Sequence, residues 1–164
     1  MIFVDHAPSG QRSRYGALVL FLAVTLGAGA IAGFAIAPEI AGWYAGLNRP
    51  SFAPPNWVFA PVWTALYFLM GIAAWRVWRK CGLRSQPMLF FFVQLALNFA
   101  WSFIFFRAHE LGAALAEVCV LLIFIGWTSV SFARVDPISA LLLVPYFAWT
   151  SFATALNAAF WNLN

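Results

Sequence analysis

Five blocks of roughly 20 or more apolar residues, separated by short polar breaks, constrain this chain more than any other feature. A soluble core has no use for apolar runs of that length, whereas a helix crossing a bilayer needs about 20 such residues. Composition agrees. Only 9% of the 164 residues are charged, against about 25% in soluble domains. In hydrocarbon the backbone must satisfy its own hydrogen bonds, and helices do so within one segment. The chain therefore reads as all-α, an integral membrane bundle of five transmembrane helices. These are expected at about 15–37, 57–78, 88–106, 112–133 and 138–161. Residues 15–164 form one transmembrane domain, and residues 1–14 are expected to be a flexible N-terminal tail. Ala28-Gly29-Ala30 imitates a cleavage site, but the first apolar block runs past it to Ala37, so it reads as a retained helix.

Five crossings put the two termini on opposite sides. Arg12, Arg14, Arg76, Arg79, Lys80, Arg84 and Arg134 then share one side, and Arg49 and Arg107 the other. The excess of basic residues predicts a cytoplasmic N-terminus, with the first loop and the C-terminus facing outward. The net charge of +4 does not imply nucleic acid, because the charges are few and sit at helix ends. Cys81 and Cys119 are expected toward opposite membrane faces and unpaired. No metal-ligand spacing is present, and His6 and His109 have no Cys, His or Asp neighbour at ligand spacing.

The first loop, Pro38 to Asn56, is long and dense in Pro and Trp. Loops beyond about 12–15 residues are usually functional or disordered. Pro50, Pro54 and Pro55 stiffen this one, and Trp43, Phe52 and Trp57 give it apolar surface. It is expected to act as a lid on the bundle, with Arg49 reaching a carboxylate, either of a ligand or of Glu117.

Phe59, Trp63 and Tyr67 recur every four residues and so share a face of helix 2 below this loop. Asn98, Trp101 and Phe105 do the same on helix 3, and Tyr146, Trp149 and Ala153 on helix 5. Two readings fit such stripes. They are helix packing, or they enclose a flat hydrophobic ligand that stacks on the rings and is oriented by Asn98. Spacing alone favours packing. Asn98 must find a partner within an apolar helix, and an interhelical hydrogen bond serves as well as a ligand. Glu117 is the one carboxylate well inside a predicted helix, a functional candidate by default, although its nearness to the helix start favours a structural role. Pro145 interrupts helix 5 and is expected to kink it or free a carbonyl. No paired carboxylates, nucleophile elbow or phosphate loop appear, so no catalytic residue is assigned.

Three motifs in order carry a resemblance. The first is Trp43-Tyr44, Leu47, Arg49-Pro50, Pro54-Pro55 and Trp63, Leu66, Tyr67. The second is Gln94-Leu95, Leu97-Asn98, Trp101-Ser102 and Phe105-Phe106. The third is Pro145-Tyr146, Trp149, Phe152-Ala153 and Leu156-Asn157. Together they resemble the tryptophan-rich sensory protein family, which includes the mitochondrial translocator or peripheral-type benzodiazepine receptor. The resemblance covers nearly all of the chain after the tail.

It implies a membrane receptor or sensor, usually a homodimer, that binds porphyrins (protoporphyrin IX or haem) and benzodiazepine-type ligands inside the bundle, with no covalent cofactor. The family's ligand positions fall on Phe59, Trp63, Tyr67, Asn98, Trp101, Trp149 and Ala153, and Arg49 and Phe52 join them from the loop. The resemblance leaves two alternatives open: transport of a porphyrin, lipid or sterol, and light-dependent porphyrin degradation. The end of helix 5, Leu156 to Asn162, lacks the Tyr-plus-basic pattern associated with sterols, a weak pattern in any case. Ser51-Phe52 also replaces two tryptophans that some bacterial members carry after the loop's basic-Pro pair.

Overall fold

The computed structural model describes residues 9–164. Five long helices account for most of them. These are α1 (Ser9–Ala41), α2 (Phe59–Cys81), α3 (Gln86–Phe106), α4 (Leu111–Val135) and α5 (Pro137–Leu163). Each contains a stretch long and apolar enough to cross a membrane. The expected helices are all present, and their ends lie a few residues away from the expected ones. The largest differences are in α1. Its helix already includes Ser9–Arg14, which the sequence reading gave to the tail; the remainder of that tail lies outside the described residues. α1 also runs through Pro38 to Ala41, four residues beyond the expected end. The carbonyl of Pro38 accepts from the Gly42 N–H at 3.0 Å, so proline loses its own donor without ending the helix. α5 likewise continues through Pro145.

The helices pack as a closed ring. α1 lies against α2 and α3, α2 against α5, α5 against α4, and α4 against α3. The helical period sets what faces inward. On α4, Ala114, Val118, Leu121, Ile125 and Phe132 are buried, while Val120, Ile123, Trp127 and Val130 are exposed on the opposite face. That exposed face is apolar because its solvent is lipid. Glycine permits two close approaches. A Cβ on Gly71 of α2 would meet Leu22 and Thr25 of α1, and a Cβ on Gly29 of α1 would collide with the Tyr67 ring. Gly29 is therefore used inside the subunit, whereas Gly33 faces open space.

The two ends of the ring differ. At one end the first loop folds over the ends of α3, α4 and α5. Tyr44 is buried against Phe105, Phe106 and Phe160. Trp43 stacks on His109 with ring centroids 4.2 Å apart. Glu39 pairs with Arg107 at 3.4 Å and contacts His109 at 3.1 Å. Asn48 and Asn164 exchange hydrogen bonds, with the Asn48 N–H donating to Asn164 Oδ1 at 2.8 Å.

At the other end, one carboxylate joins α2 to the α4–α5 junction. Asp136 is buried and accepts from Arg76 Nε at 2.7 Å, Arg76 Nη2 at 3.1 Å, Lys80 Nζ at 2.8 Å and Ser139 Oγ at 2.5 Å. The Arg76 hydrogen bonds foremost, then those of Lys80 and Ser139, outweigh burial and hold the Asp136 carboxyl well below the usual carboxylate range.

A group with a depressed folded pKa stabilises the fold above its unfolded value of about 3.9, and that contribution fades as pH falls toward the folded value. Asp136→Asn is expected to cost about 1–3 kcal/mol at neutral pH, less than a fully buried pair because Arg76 and Lys80 are partly exposed. Thermal unfolding in detergent from pH 7 to pH 3 checks this. The gap between wild type and variant should be full at pH 7 and narrow as the pH drops below 4; a constant gap would contradict it.

Candidate ligand-binding site

Three ring-bearing faces meet inside the helical ring. From α2, Trp63 packs between Tyr67 (5.7 Å between centroids) and Tyr146 of α5 (6.3 Å, edge-on). One turn nearer the loop, Phe59 meets Trp149 of α5 edge-on at 5.8 Å, and Trp149 lies 5.4 Å from Phe152. Phe52 of the loop adds its edge to Phe152 at 6.3 Å. The i, i+4 spacing on α2 and α5 generates this arrangement directly, because it lines each set of rings along one helix face.

Polar side chains cross the same interior. The Tyr67 hydroxyl donates to Asn98 Oδ1, joining α2 to α3. The Tyr146 hydroxyl donates to Gln94 Oε1 at 2.8 Å, joining α5 to α3. Trp101 Nε1 donates to Asn157 Oδ1 at 3.2 Å, and Asn157 Nδ2 donates to the Leu111 carbonyl at 2.9 Å, so α3, α5 and α4 share one chain of bonds. Gln94, Asn98, Asn157 and Tyr146 are all buried.

These bonds use only part of the available capacity. Gln94 Nε2, Asn98 Nδ2, Trp149 Nε1, Thr150 Oγ1 and both carboxyl oxygens of Glu117 are buried without a protein partner. Buried polar side-chain atoms are ordinarily satisfied by protein or water. Glu117 belongs to the same region. It lies on the face of α4 shared with Ala114, Val118 and Leu121, which points into the ring.

The expected site residues fall into two groups. Phe59, Trp63, Tyr67, Asn98, Trp101, Trp149 and Ala153 converge on the interior of the ring. Arg49 is engaged elsewhere: its guanidinium donates to Asn56 Oδ1 at 2.8 Å and to the Pro54 carbonyl at 2.9 Å, and lies 5.5 Å from the Tyr44 ring centroid. The expected contact between Arg49 and Glu117 is not made, because local loop acceptors are closer in the chain and already match the geometry of the fork. Phe52 is half exposed. The sequence-based site left out Gln94, Asn157 and Phe152. Gln94 lies one turn before Asn98 and Asn157 one turn after Ala153, so extending the same four-residue spacing finds both. Among the described residues no group of His, Cys, Asp and Glu could hold a metal ion.

The fold and this interior define a five-helix membrane protein with an aromatic and amide-lined centre. A profile of the TspO/MBR family matches residues 20–162. The chain is 42% identical to the translocator protein of Homo sapiens over 126 residues, covering 74% of this chain and 75% of the human one. It is 42% identical to the tryptophan-rich protein TspO of Chlorobaculum tepidum over 154 residues, covering 89% and 97%. To the tryptophan-rich sensory protein of Cereibacter sphaeroides it is 40% identical over 148 residues, covering 90% and 92%. The chain belongs to the TspO/MBR family.

Gly29→Ala tests how tightly the site is held from behind. The added methyl would displace Tyr67 and break its bond to Asn98. Overpacking of this kind costs about 1–3 kcal/mol. A lowered thermal midpoint is expected for the variant, and an unchanged midpoint would mean that α1 simply shifts aside.

Proposed function

We propose that this protein is a membrane receptor or sensor that takes a flat hydrophobic ligand of the tetrapyrrole class inside the helical ring, beneath the first loop. One observation carries the proposal: buried N–H donors at Gln94 and Trp149 lack protein acceptors and stand beside the edge-on rings that join α2 to α5. A porphyrin fits that chemistry. Its macrocycle offers a large π-face to Trp63, Phe59 and Trp149, and its carboxylates or carbonyls accept from the free N–H groups. Benzodiazepine-type ligands, smaller but also flat and carrying a carbonyl, suit the same groups. The names of two relatives, a translocator and a sensory protein, agree with a ligand-responsive membrane protein.

On this reading Arg49 acts indirectly, by fixing the loop that covers the site, and Phe52 touches the site through Phe152. The charge bias sets the basic end, with Arg76, Arg79, Lys80, Arg84 and Arg134, in the cytoplasm. The protein works as a homodimer joined through α3, where Ala96 and Ala100 form a small-xxx-small pair.

The test is titration of purified protein with protoporphyrin IX in the dark, followed by tryptophan fluorescence and the porphyrin spectrum. Trp63→Ala and Trp149→Ala are each expected to weaken binding about 2- to 12-fold, the equivalent of about 0.5–1.5 kcal/mol of ring interaction. Helix content should be unchanged. Identical titration curves in wild type and both variants would remove these residues from the site. Loss of the porphyrin spectrum only on illumination would favour the degradation reading instead.

A further inference from the structure

At the basic end of the ring, Arg76, Arg79 and Lys80 line an open cavity of about 230 Å3 on the last turns of α2. We infer that this cavity binds the phosphate of an anionic membrane lipid. It stands apart from the interior site and from the first loop, and nothing in the proposed function requires it.

Three cations face one carboxylate here, so the cavity keeps a net positive charge. Their hydrogen-bonding capacity is unevenly used. Asp136 takes Nε and Nη2 of Arg76, leaving Nη1. Lys80 Nζ donates to Asp136 and to the Val135 carbonyl, which leaves a third proton. Among the described residues Arg79 pairs with no carboxylate. Its guanidinium stands 4.7 Å from the centroid of the Trp75 ring, which holds it in place without occupying its N–H groups. A planar guanidinium held this way is prearranged for two parallel hydrogen bonds to phosphate oxygens. Arg76 Nη1 and the remaining Lys80 proton supply further donors from the neighbouring turn.

Position selects a lipid over a soluble phosphate. Arg76 and Lys80 belong to a segment apolar enough to cross the membrane, so the cavity opens where hydrocarbon gives way to headgroups. Ile138 and Leu141, in the first turns of α5 just beyond Asp136, are exposed and apolar and suit acyl chains. Arg84 and Arg134, in and beside the two turns at this end, add to the field that draws anionic lipid.

The experiment is native mass spectrometry of the full chain, released from detergent containing graded amounts of phosphatidylglycerol or phosphatidylcholine. Wild type is expected to retain one phosphatidylglycerol in preference to phosphatidylcholine. Arg79→Gln should lower that preference about fivefold, the equivalent of about 1 kcal/mol per basic residue near the surface. Arg79 makes no ion pair among the described residues, so the substitution should spare folding, and an unchanged thermal midpoint checks this. Arg84→Gln removes the same charge from the same end but outside the cavity, and should lower the preference distinctly less than Arg79→Gln does. The inference is overturned by the absence of any preference in wild type, or by equal losses in Arg79→Gln and Arg84→Gln, which would mean a diffuse field. Displacement of the lipid by millimolar inorganic phosphate would overturn the assignment to lipid in favour of a soluble phosphate site.

Discussion

The absence of water in a bilayer interior governs this structure. A polar side chain within the hydrocarbon has only other protein groups or a ligand to bond with, and leaving it alone costs a few kcal/mol. The bundle responds by tying its helices through a few amides and phenols. Tyr67 holds α2 to Asn98, and Tyr146 holds α5 to Gln94. Trp101, Asn157 and the Leu111 carbonyl link α3, α5 and α4. All of these bonds cross helix boundaries, so the polar network fixes the rotation of α2, α3, α4 and α5 while the rings fill the space between. The same network is incomplete on its donor side, at Asn98 Nδ2, Gln94 Nε2 and Trp149 Nε1. The amides that tie the helices together are thus the same side chains that line the interior of the ring.

The two ends of the ring manage polarity differently. At the loop end, Glu39, His109, Asn48 and Asn164 fasten the chain over the helix termini with exposed contacts. The aromatic anchors Trp43 and Tyr44 lie under them. The half of the loop carrying these anchors is held down, whereas Phe52 and Trp57 remain exposed. At the basic end a single buried carboxylate, Asp136, gathers two cations and seats the start of α5 against α2.

Much of this was legible in the sequence for a physical reason. Five apolar blocks admit only five helices, and four-residue spacing puts Phe59, Trp63 and Tyr67 on one face whatever their partners are. The helix ends were harder. Pro38 looked like a terminus, but its own carbonyl still accepts from Gly42, so the helix continues past it. Which helices touch was not legible, because periodicity gives a face without naming its neighbour; the order α1, α2, α5, α4, α3 comes from the fold alone. The fate of Arg49 was hidden too. A guanidinium can span a loop or reach a site, and only the positions of Asn56 and Pro54 decide.

The central claim is that the ligand lies between α2 and α5 with its face against Trp63 and Trp149. Nitrogen-15 NMR of the indole N–H groups during protoporphyrin addition addresses it most directly, because a macrocycle's ring current shifts only nearby protons. The account predicts large shifts or broadening for Trp63 and Trp149. It predicts little change for Trp127, which faces outward from α4. Shifts confined to Trp127 and other outward indoles, with Trp63 and Trp149 unmoved, would contradict it and put the ligand on the surface of the bundle.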